Sequence, residues 1–290
     1  MKILLIGKNG QVGWELRRTL APLADVAAVD YPEVNFTDTP ALRQLVAGTR
    51  PDVVVNAAAY TAVDKAEKET ELCRQINAVA PGVLAEEAKK LGALIVHYST
   101  DYIFDGTKKS PYAETDAPNP LGAYGRTKLE GDRAVKASGA DHLIFRLCWV
   151  YGARGQNFML TMQRLARVRE TLRVVGDQFG CPTWSRMIAE ATAQALKQVL
   201  AEADQSAFNG EYHLAADGRT SWHEFASRII GWMPEAERKC RVVEKIATAE
   251  YPTPASRPAY SVLDCGKLQE TFGLRLPDWE AGLRQVLDIP

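Results

Sequence analysis

The stretch ILLIGKNGQVG at positions 3–13 decides the fold. Its first four residues form a short apolar run typical of a buried strand, and the residues after it have the apolar spacing of a helix. Gly7, Gly10 and Gly13 stand between the two, spaced GxxGxxG rather than GxGxxG. A glycine-rich turn here lets the backbone approach a pyrophosphate in front of a helix N-terminus. The stretch therefore predicts the first βα turn of a dinucleotide-binding fold.

Working outward from this turn, the first half of the chain alternates short apolar runs with helical stretches. Strands rich in Val, Ile and Leu that alternate with helices imply a parallel sheet covered on both faces. The predicted fold class is α/β, a Rossmann-type doubly wound parallel sheet with a smaller C-terminal substrate-binding domain. The predicted strands are 3–6, 26–29, 52–58, 93–98 and 142–147, and the predicted helices are 12–20, 42–47, 80–91 and 128–136.

The second half of the chain has a less regular pattern. Three helices, one strand and a Pro-rich loop are predicted there, at 158–169, 187–200 and 279–287, at 172–175 and at 251–258. We therefore expect residues 1–147 to form the dinucleotide-binding domain. Residues 148–290 are expected to form mainly the substrate-binding domain, with some segments returning to the first domain.

The composition excludes several classes of partner. The 290 residues carry 35 Lys and Arg against 36 Asp and Glu, so the charge balance shows no footprint for nucleic acid. No apolar stretch approaches a membrane span, and the four histidines form no metal-ligand pattern. The five cysteines are odd in number and lack C-x-x-C spacing, as in reduced cytosolic proteins. We expect a cytoplasmic protein with a small-molecule partner.

The predicted cofactor is NADPH or NADH. Asp30 ends the second strand, where a carboxylate commonly meets the adenosine ribose and repels a 2′-phosphate. Lys8, inside the glycine loop, can offset that charge, so we expect both dinucleotides to be tolerated. The remaining predicted cofactor contacts lie in the loop, after the second strand or at the carboxyl edge of the sheet: Gln11, Val12, Asn35, Phe36, Ala59, Tyr60, Thr61, Tyr98, Tyr124 and Lys128.

A second pattern, Tyr124-x-x-x-Lys128, points to acid–base chemistry. Side chains four apart on a helix share one face, so the Lys128 ammonium can lie beside the Tyr124 phenol. Lowering a tyrosine pKa by about three units needs roughly 4 kcal/mol of differential interaction. Thr100, beyond the strand 93–98, is placed to polarise a reacting carbonyl together with Tyr124. Tyr124, Lys128 and Thr100 are therefore the predicted catalytic residues of carbonyl–alcohol redox chemistry.

Longer motifs resemble one family. The overall layout is similar to the extended short-chain dehydrogenase/reductase superfamily, and nearly the whole chain resembles the dTDP-4-dehydrorhamnose reductase family. The motifs that carry this resemblance are VNAAAYTAVDKAE at 55–67, STDYIFDG at 99–106, YGRTKLEG at 124–131, RLCWVYG at 146–152, DQFGCPT at 177–183, RP at 257–258 and LD at 263–264.

The resemblance implies a reaction, a substrate and site residues. The C4 ketone of dTDP-4-dehydro-L-rhamnose would be reduced by NAD(P)H to dTDP-L-rhamnose, the last step in making the rhamnose donor for bacterial surface polysaccharide. Tyr124 would deliver the proton. Trp149 would pack on the sugar or nucleotide, or else serve as an inter-domain core residue. The residues implied to contact the substrate are Thr100, Asp101, Tyr124, Trp149, Asn157 and Gln178.

Two departures from related patterns bear on these expectations. Tyr102 stands where sugar-nucleotide dehydratases of the superfamily have the glutamate of a Thr-Asp-Glu sequence, so dehydration is disfavoured. Some reductases of the family hold Mg²⁺ with carboxylates at a subunit contact. Glu15 is the weak candidate ligand for such a metal here, and Arg186 counts against the site.

Two other functions stay open. One is a dinucleotide-binding protein without turnover, as in the regulatory subunit of methionine adenosyltransferase, which shares the overall pattern. The other is a reductase or epimerase of a different nucleotide sugar, since substrate choice depends on pocket shape. A possible homodimer is the general expectation for a soluble enzyme.

Overall fold

The computed structural model describes residues 1–288, and a six-stranded sheet lies at its centre. The strands of these residues are β1 (Lys2–Ile6), β2 (Asp25–Val29), β3 (Val53–Asn56), β4 (Leu94–Thr100), β5 (His142–Leu147), β6 (Val150–Tyr151), β7 (Thr171–Val175), β8 (Phe179–Gly180), β9 (Thr183–Trp184), β10 (Gly210–His213), β11 (Thr220–Ser221) and β12 (Val242–Ile246). The central sheet has the order β10–β5–β4–β3–β1–β2, and every neighbouring pair in it is parallel. The predicted parallel α/β sheet is confirmed.

The helices of the described residues pack on both faces of this sheet and around the smaller strand pairs. They are α1 (Gln11–Leu20), α2 (Thr39–Thr49), α3 (Val63–Ala66), α4 (Thr70–Arg74), α5 (Ala80–Leu91), α6 (Ala123–Ala137), α7 (Phe158–Val168), α8 (Ser185–Ala201), α9 (Trp222–Gly231), α10 (Gly266–Phe272) and α11 (Trp279–Leu287). Alternate residues of β1 show why two layers form, because successive strand side chains point to opposite faces. Ile3 and Leu5 pack in the core with α1 and α8, whereas Leu4 and Ile6 pack in the core with α2 and α5.

The second half of the chain contributes to the central sheet as well as to smaller layers. Strand β10 pairs with β5 at the sheet edge, and α8 packs against α1. Three two-stranded pairs lie outside the sheet: β7 with β12, β8 with β11 and β6 with β9. The largest hydrophobic core contains residues of both halves, so the two halves share one core.

Helix α6 begins at Ala123, five residues before the predicted start at 128. Sequence gives no start signal because Gly122 precedes the helix and makes no side-chain cap. The Ala123 N–H instead donates to the Glu67 carboxylate at 2.7 Å, a contact far apart in sequence. This earlier start places Tyr124 in the first turn of α6.

None of the helices between residues 1 and 288 is both long enough and apolar enough to cross a membrane.

Candidate active site

A cleft of about 760 Å³ opens at the carboxyl ends of β1, β3 and β4. We call the part beside the glycine loop 7–13 the cofactor end and the part beside Tyr124 the reacting end. The structure brings most of the predicted site residues into the lining of this one cleft: Gly7, Gly10, Gln11, Val12, Asp30, Phe36, Ala59, Thr61, Tyr98, Thr100, Asp101, Tyr124, Lys128 and Trp149.

Backbone packing forms the glycine loop at the cofactor end. Gly7 has a φ of +87°, and a Cβ built on it would overlap the backbone of Ala58. A Cβ built on Gly13 would lie 1.9 Å from the Gly7 carbonyl oxygen, so only glycine lets α1 approach the loop. Gly10 precedes α1 and makes no side-chain cap, which leaves the first amide groups of the helix available to an anion.

Asp30 lines the cofactor end and is bound to the loop. Its carboxylate accepts the Asn9 N–H at 2.8 Å and the Tyr31 N–H at 2.7 Å. Lys8, expected to offset the charge of Asp30, instead pairs with Glu33 at 2.6 Å. Two carboxylates and one ammonium therefore surround the position expected for the adenosine ribose.

Three predicted cofactor residues lie outside the cleft lining: Gly13, which packs against the Gly7 carbonyl oxygen, and Asn35 and Tyr60, whose side chains bind elsewhere. The Asn35 side chain accepts hydrogen bonds from the N–H and hydroxyl of Thr37. The Tyr60 hydroxyl donates to the Glu69 carboxylate at 2.5 Å, which raises the pKa of Tyr60 to about 12. Both side chains therefore have local structural partners.

At the reacting end, β4 leads directly into a short turn of helix, Asp101–Ile103. The Thr100 hydroxyl donates to the Asp101 carboxyl at 3.0 Å and accepts the Tyr102 N–H at 3.2 Å. Asp101 is only 2% exposed, and burial raises its pKa to about 6, against hydrogen bonds from Ser261, Cys148 and Thr100. The site therefore holds a buried carboxyl whose pKa lies above that of an ordinary aspartate.

Tyr124 reaches the same site from α6. Gly125 makes this possible, because a Cβ there would overlap the Tyr102 carbonyl oxygen. Burial raises the pKa of Tyr124 above its ordinary value, the Asp101 carboxylate adds to the rise, and a hydrogen bond with Thr100 opposes it. This direction is opposite to the lowered pKa expected from Lys128. A phenol with a raised pKa stays protonated at neutral pH and can serve as a proton donor.

Lys128 lines the cleft, but its ammonium is bound to β4 rather than to the phenol. Its Nζ donates to the Tyr98 carbonyl oxygen at 2.5 Å and lies 3.3 Å from His97 Nε2. Burial lowers the pKa of Lys128 to about 8, while Asp132 and Cys73 oppose this shift. The Tyr98 hydroxyl points away, to Thr192 at 2.9 Å. The geometry explains why Lys128 does not lower the pKa of Tyr124.

Trp149 forms an aromatic wall of the cleft together with Trp222. The two rings stack with centroids 3.4 Å apart and planes 8° apart. Trp149 has a φ of +44°, unusual for a bulky residue, and Gly180 gives its indole room, since a Cβ there would overlap the ring. Such backbone strain at a cleft wall is a feature of functional positions.

Two weaker predictions concern side chains with other partners. Asn157 caps α7 and donates to the Gln11 side chain at 2.9 Å, so it ties the second half of the chain to the loop. Gln178 is buried and donates to Thr248 at 3.1 Å. Neither side chain belongs to the cleft lining.

Glu15, the candidate metal ligand, lies in ion pairs with two arginines. Its carboxylate pairs with Arg18 at 2.6 Å and with Arg186 at 3.4 Å. Over residues 1–288, no three His, Cys, Asp or Glu side chains cluster in a way that could hold a metal ion. The predicted Mg²⁺ is therefore not supported.

Several lining residues were not predicted as site residues. Trp222 begins α9, and the capping box of Ser221 and Glu224 signals that helix start in the sequence. Tyr102 lies edge-on to Tyr124, with ring centroids 5.9 Å apart. Gln156 also lines the cleft, and nothing local in the sequence marks it.

The parallel sheet, the glycine loop and a cleft that joins it to Thr100, Tyr124 and Lys128 define an extended short-chain dehydrogenase/reductase. Comparison with known proteins narrows this class. The family model described as RmlD substrate binding domain matches residues 1–289. A dTDP-4-dehydrorhamnose reductase of Burkholderia thailandensis is 50% identical over 284 residues, which cover 96% of this chain and 95% of that protein.

Solved structures agree with the sequence comparisons. The dTDP-4-dehydrorhamnose reductase of Clostridium acetobutylicum matches with a TM-score of 0.92 and 38% identity, over 100% of this chain and 99% of that one. The Bacillus anthracis enzyme, solved in complex with NADP, matches with a TM-score of 0.89 and 34% identity, over 99% and 98%. The chain belongs to the dTDP-4-dehydrorhamnose reductase family, and the resemblance noted in the sequence is confirmed.

Proposed function

We propose that this protein reduces the C4 ketone of dTDP-4-dehydro-L-rhamnose to dTDP-L-rhamnose with NADPH or NADH, the last step in making the rhamnose donor. One observation carries the proposal: Tyr124, Thr100 and Lys128 line the same cleft as the glycine loop. Membership of the dTDP-4-dehydrorhamnose reductase family supports the choice of sugar.

The residues at the cofactor end fit a nicotinamide dinucleotide. The glycine loop has no Cβ at Gly7 and Gly13, and the uncapped N-terminus of α1 offers N–H groups to a pyrophosphate. Asp30 can accept hydrogen bonds from ribose hydroxyls, while its charge and that of Glu33 disfavour a 2′-phosphate. When bound, the cofactor supplies the hydride that adds to the sugar carbonyl.

Tyr124 and Thr100 act on the carbonyl oxygen of the sugar. Because the pKa of Tyr124 is raised, its hydroxyl carries a proton at neutral pH and can deliver it to the alkoxide that forms. The Thr100 hydroxyl, on turning its single hydrogen from Asp101 to the sugar, provides a second hydrogen-bond donor for the same oxygen. Lys128, whose Nζ has a hydrogen left over after its two bonds to β4, holds a ribose hydroxyl.

The substrate is expected to rest against Asp101 and Trp149. The Asp101 carboxyl lies beside Thr100 and can accept hydrogen bonds from sugar hydroxyls. The Trp149 indole, backed by Trp222, offers a flat apolar face for the sugar ring or the thymine. Tyr102 occupies the position of the dehydratase glutamate, so the site has a proton donor suited to reduction and lacks that second acid.

The direct test is an assay of NADPH and NADH oxidation with enzymatically prepared dTDP-4-dehydro-L-rhamnose and a panel of other keto-nucleotide sugars. Rapid oxidation that yields dTDP-rhamnose, with the other sugars slower, would support the proposal. Intact dinucleotide binding without oxidation of any sugar would favour a non-catalytic regulatory subunit. Faster turnover of another sugar would reassign the substrate, and tightly retained NAD that recycles its hydride would favour an epimerase.

Two properties stay predictions from the sequence. We expect a homodimer, which light scattering of the purified protein would detect as twice the chain mass. We also expect a cytoplasmic location, which fractionation of the source cells would test.

A further inference from the structure

A buried ionic cluster lies behind Lys128, and the proposed reaction does not use it. Its members are His97 on β4, Asp132 on α6 and Arg146 on β5, which are 0%, 1% and 3% exposed. Charged side chains are rarely buried to this degree unless they are paired. Because the cluster lies directly behind Lys128, it can affect the charge and the orientation of that side chain.

Two of the three Nζ hydrogens of Lys128 are directed to β4. One goes to the Tyr98 carbonyl oxygen and one to His97 Nε2. A charged amine has only donors, so His97 must accept through Nε2 and carry its proton on Nδ1. Nδ1 lies 3.1 Å from Asn56 Nδ2, and Asn56 Oδ1 accepts the Ala58 N–H at 3.3 Å, so this tautomer requires the Asn56 amide to turn and give up that contact. Neutral His97 is consistent with its pKa, which burial and the Lys128 charge lower.

Asp132 lies on the far side of His97. One carboxylate oxygen accepts the Ser99 hydroxyl at 2.8 Å and lies 3.7 Å from Arg146 Nε. The other oxygen lies 3.9 Å from His97 Nε2 and has no hydrogen-bond partner in the part of the chain that the structure describes. Burial raises the pKa of Asp132, and the charges of Lys128 and Arg146 oppose that rise, so the ionised form of this carboxyl depends on those two cations.

We propose that His97 and Asp132 are positioning residues for Lys128: the imidazole accepts one ammonium hydrogen, and the carboxylate supplies the counter-charge that keeps the lysine cationic. This arrangement fixes the direction of the remaining Nζ hydrogen toward the cleft, where a ribose hydroxyl is expected. The inference rests on the proposed function because it assigns Lys128 to cofactor binding.

The charge balance of the cluster supports this role. Lys128 and Arg146 are two buried cations, and Asp132 is the one carboxylate between them that is equally buried. If Asp132 lost its charge, the pKa of Lys128 would fall further, and Lys128 rather than Arg146 would be the cation to lose its proton as pH rises. The titratable groups facing Lys128 are His97, Cys73 and Asp132, and the groups facing Asp132 are Ser99, His97, Lys128, Arg146 and Glu211.

Asp132→Asn tests the carboxylate through binding of NADPH without sugar, measured by cofactor fluorescence across pH. In the natural protein, binding should weaken as pH rises through about 8, where Lys128 loses its proton. In the variant this midpoint should fall by about one pH unit, so binding above both midpoints is about tenfold weaker. Below about pH 6 the two proteins should bind alike, because Lys128 is charged in both.

Controls separate this role from a structural one. Glu130→Gln, on the same helix but exposed and paired with Arg74, should leave the midpoint unchanged. Asp132→Glu should restore it. If Asp132→Asn fails to fold because Arg146 keeps only its 3.5 Å contact with Glu211, the double variant D132N/R146M removes both buried charges. It should still show the lowered midpoint, since Arg146 is not among the groups that shift the pKa of Lys128.

His97 is tested in the same binding experiment. His97→Gln keeps an acceptor and should retain most of the affinity for NADPH, whereas His97→Leu removes the acceptor and should lose several-fold more. An unchanged midpoint in Asp132→Asn, or equal weakening at every pH, would overturn the proposal. Because no sugar is present, a wrong assignment of the sugar substrate would leave these results unchanged.

Discussion

The two ends of the cleft are built from different parts of the chain. At the cofactor end, Gly7 and Gly13 bring backbone against backbone, and the binding groups are the amides of a helix N-terminus. At the reacting end, Thr100, Tyr124 and Lys128 act through side chains whose properties depend on burial. A backbone site depends on local spacing, whereas a side-chain site depends on contacts between distant segments. Substitutions at the two ends should therefore fail in different ways.

The largest effect is expected at the reacting end. Tyr124→Phe should lower kcat about a thousandfold or more, because it removes the proton donor while the ring still fills its place. Binding of NADPH should stay unchanged, as measured by cofactor fluorescence. Tyr251→Phe, which alters an exposed tyrosine, serves as the matched control. If Tyr124→Phe retained turnover, Tyr124 would not be the proton donor.

At the cofactor end, two glycines should separate stability from binding. Gly13→Ala should destabilise the protein by about 3 kcal/mol or more, because its Cβ would lie 1.9 Å from a backbone oxygen. Gly10→Ala should leave the thermal midpoint nearly unchanged, because its Cβ would meet the Gly7 oxygen only at 3.4 Å. It should nevertheless weaken NADPH binding, since Gly10 lines the cleft. Equal losses of stability in both variants would contradict this distinction.

The buried Asp101 should make stability depend on pH at the reacting end. Its folded-state pKa of about 6 lies above the ordinary value of 3.8. A raised pKa means that its contribution is fully present at low pH and is lost as pH rises from about 4 to about 6, by about 3 kcal/mol in total. The free energy of unfolding in urea, compared between Asp101→Asn and the natural protein across this range, should show that loss only in the latter.

Asp105 provides a control of opposite sign for that measurement. Hydrogen bonds from Thr107 and Asn119 lower the pKa of Asp105. Its contribution to stability should therefore be present above pH 4 and decrease as pH falls further. If Asp105→Asn and Asp101→Asn changed the pH dependence in the same direction, the account of Asp101 would be wrong.

The smallest effect is expected for cofactor preference, because the groups concerned are partly exposed. Asp30→Ala should raise the ratio of kcat/KM for NADPH to that for NADH about tenfold, since it removes a charge beside the 2′-phosphate position. Glu33→Gln should raise the ratio less, by about two- to fivefold, because it frees Lys8 from a surface ion pair. An unchanged ratio in Asp30→Ala would argue against its place at the ribose.

The same contrast explains how much the sequence predicts. The glycine loop and the strands around it follow from local spacing, as do the positions of Thr100 and Tyr124 at the carboxyl edge of the sheet. The pKa direction of Tyr124 does not, because it depends on burial and on Lys128 turning to Tyr98 and His97. Burial depends on how distant elements pack, so it cannot be predicted from a local sequence pattern.

Trp222 and Asp132 show that contacts between distant segments could not be predicted from the sequence. Trp222 reaches the cleft because α9 packs beside Trp149, a contact between segments far apart in the chain. Asp132 lies one helical turn beyond Lys128, so its presence on the same face follows from spacing. Its partner Arg146 comes from β5, and only the folded sheet brings the two together.

The central claim is that a dinucleotide bound at the cofactor end transfers its hydride to C4 of the sugar at the reacting end. The most direct measurement is to supply NADPH labelled with deuterium at the transferred position, together with dTDP-4-dehydro-L-rhamnose, and to locate the label by NMR. We expect dTDP-L-rhamnose carrying deuterium at C4 from the natural protein and almost none from Tyr124→Phe. Product without label, label at another carbon, or equal labelling by the variant would contradict the account.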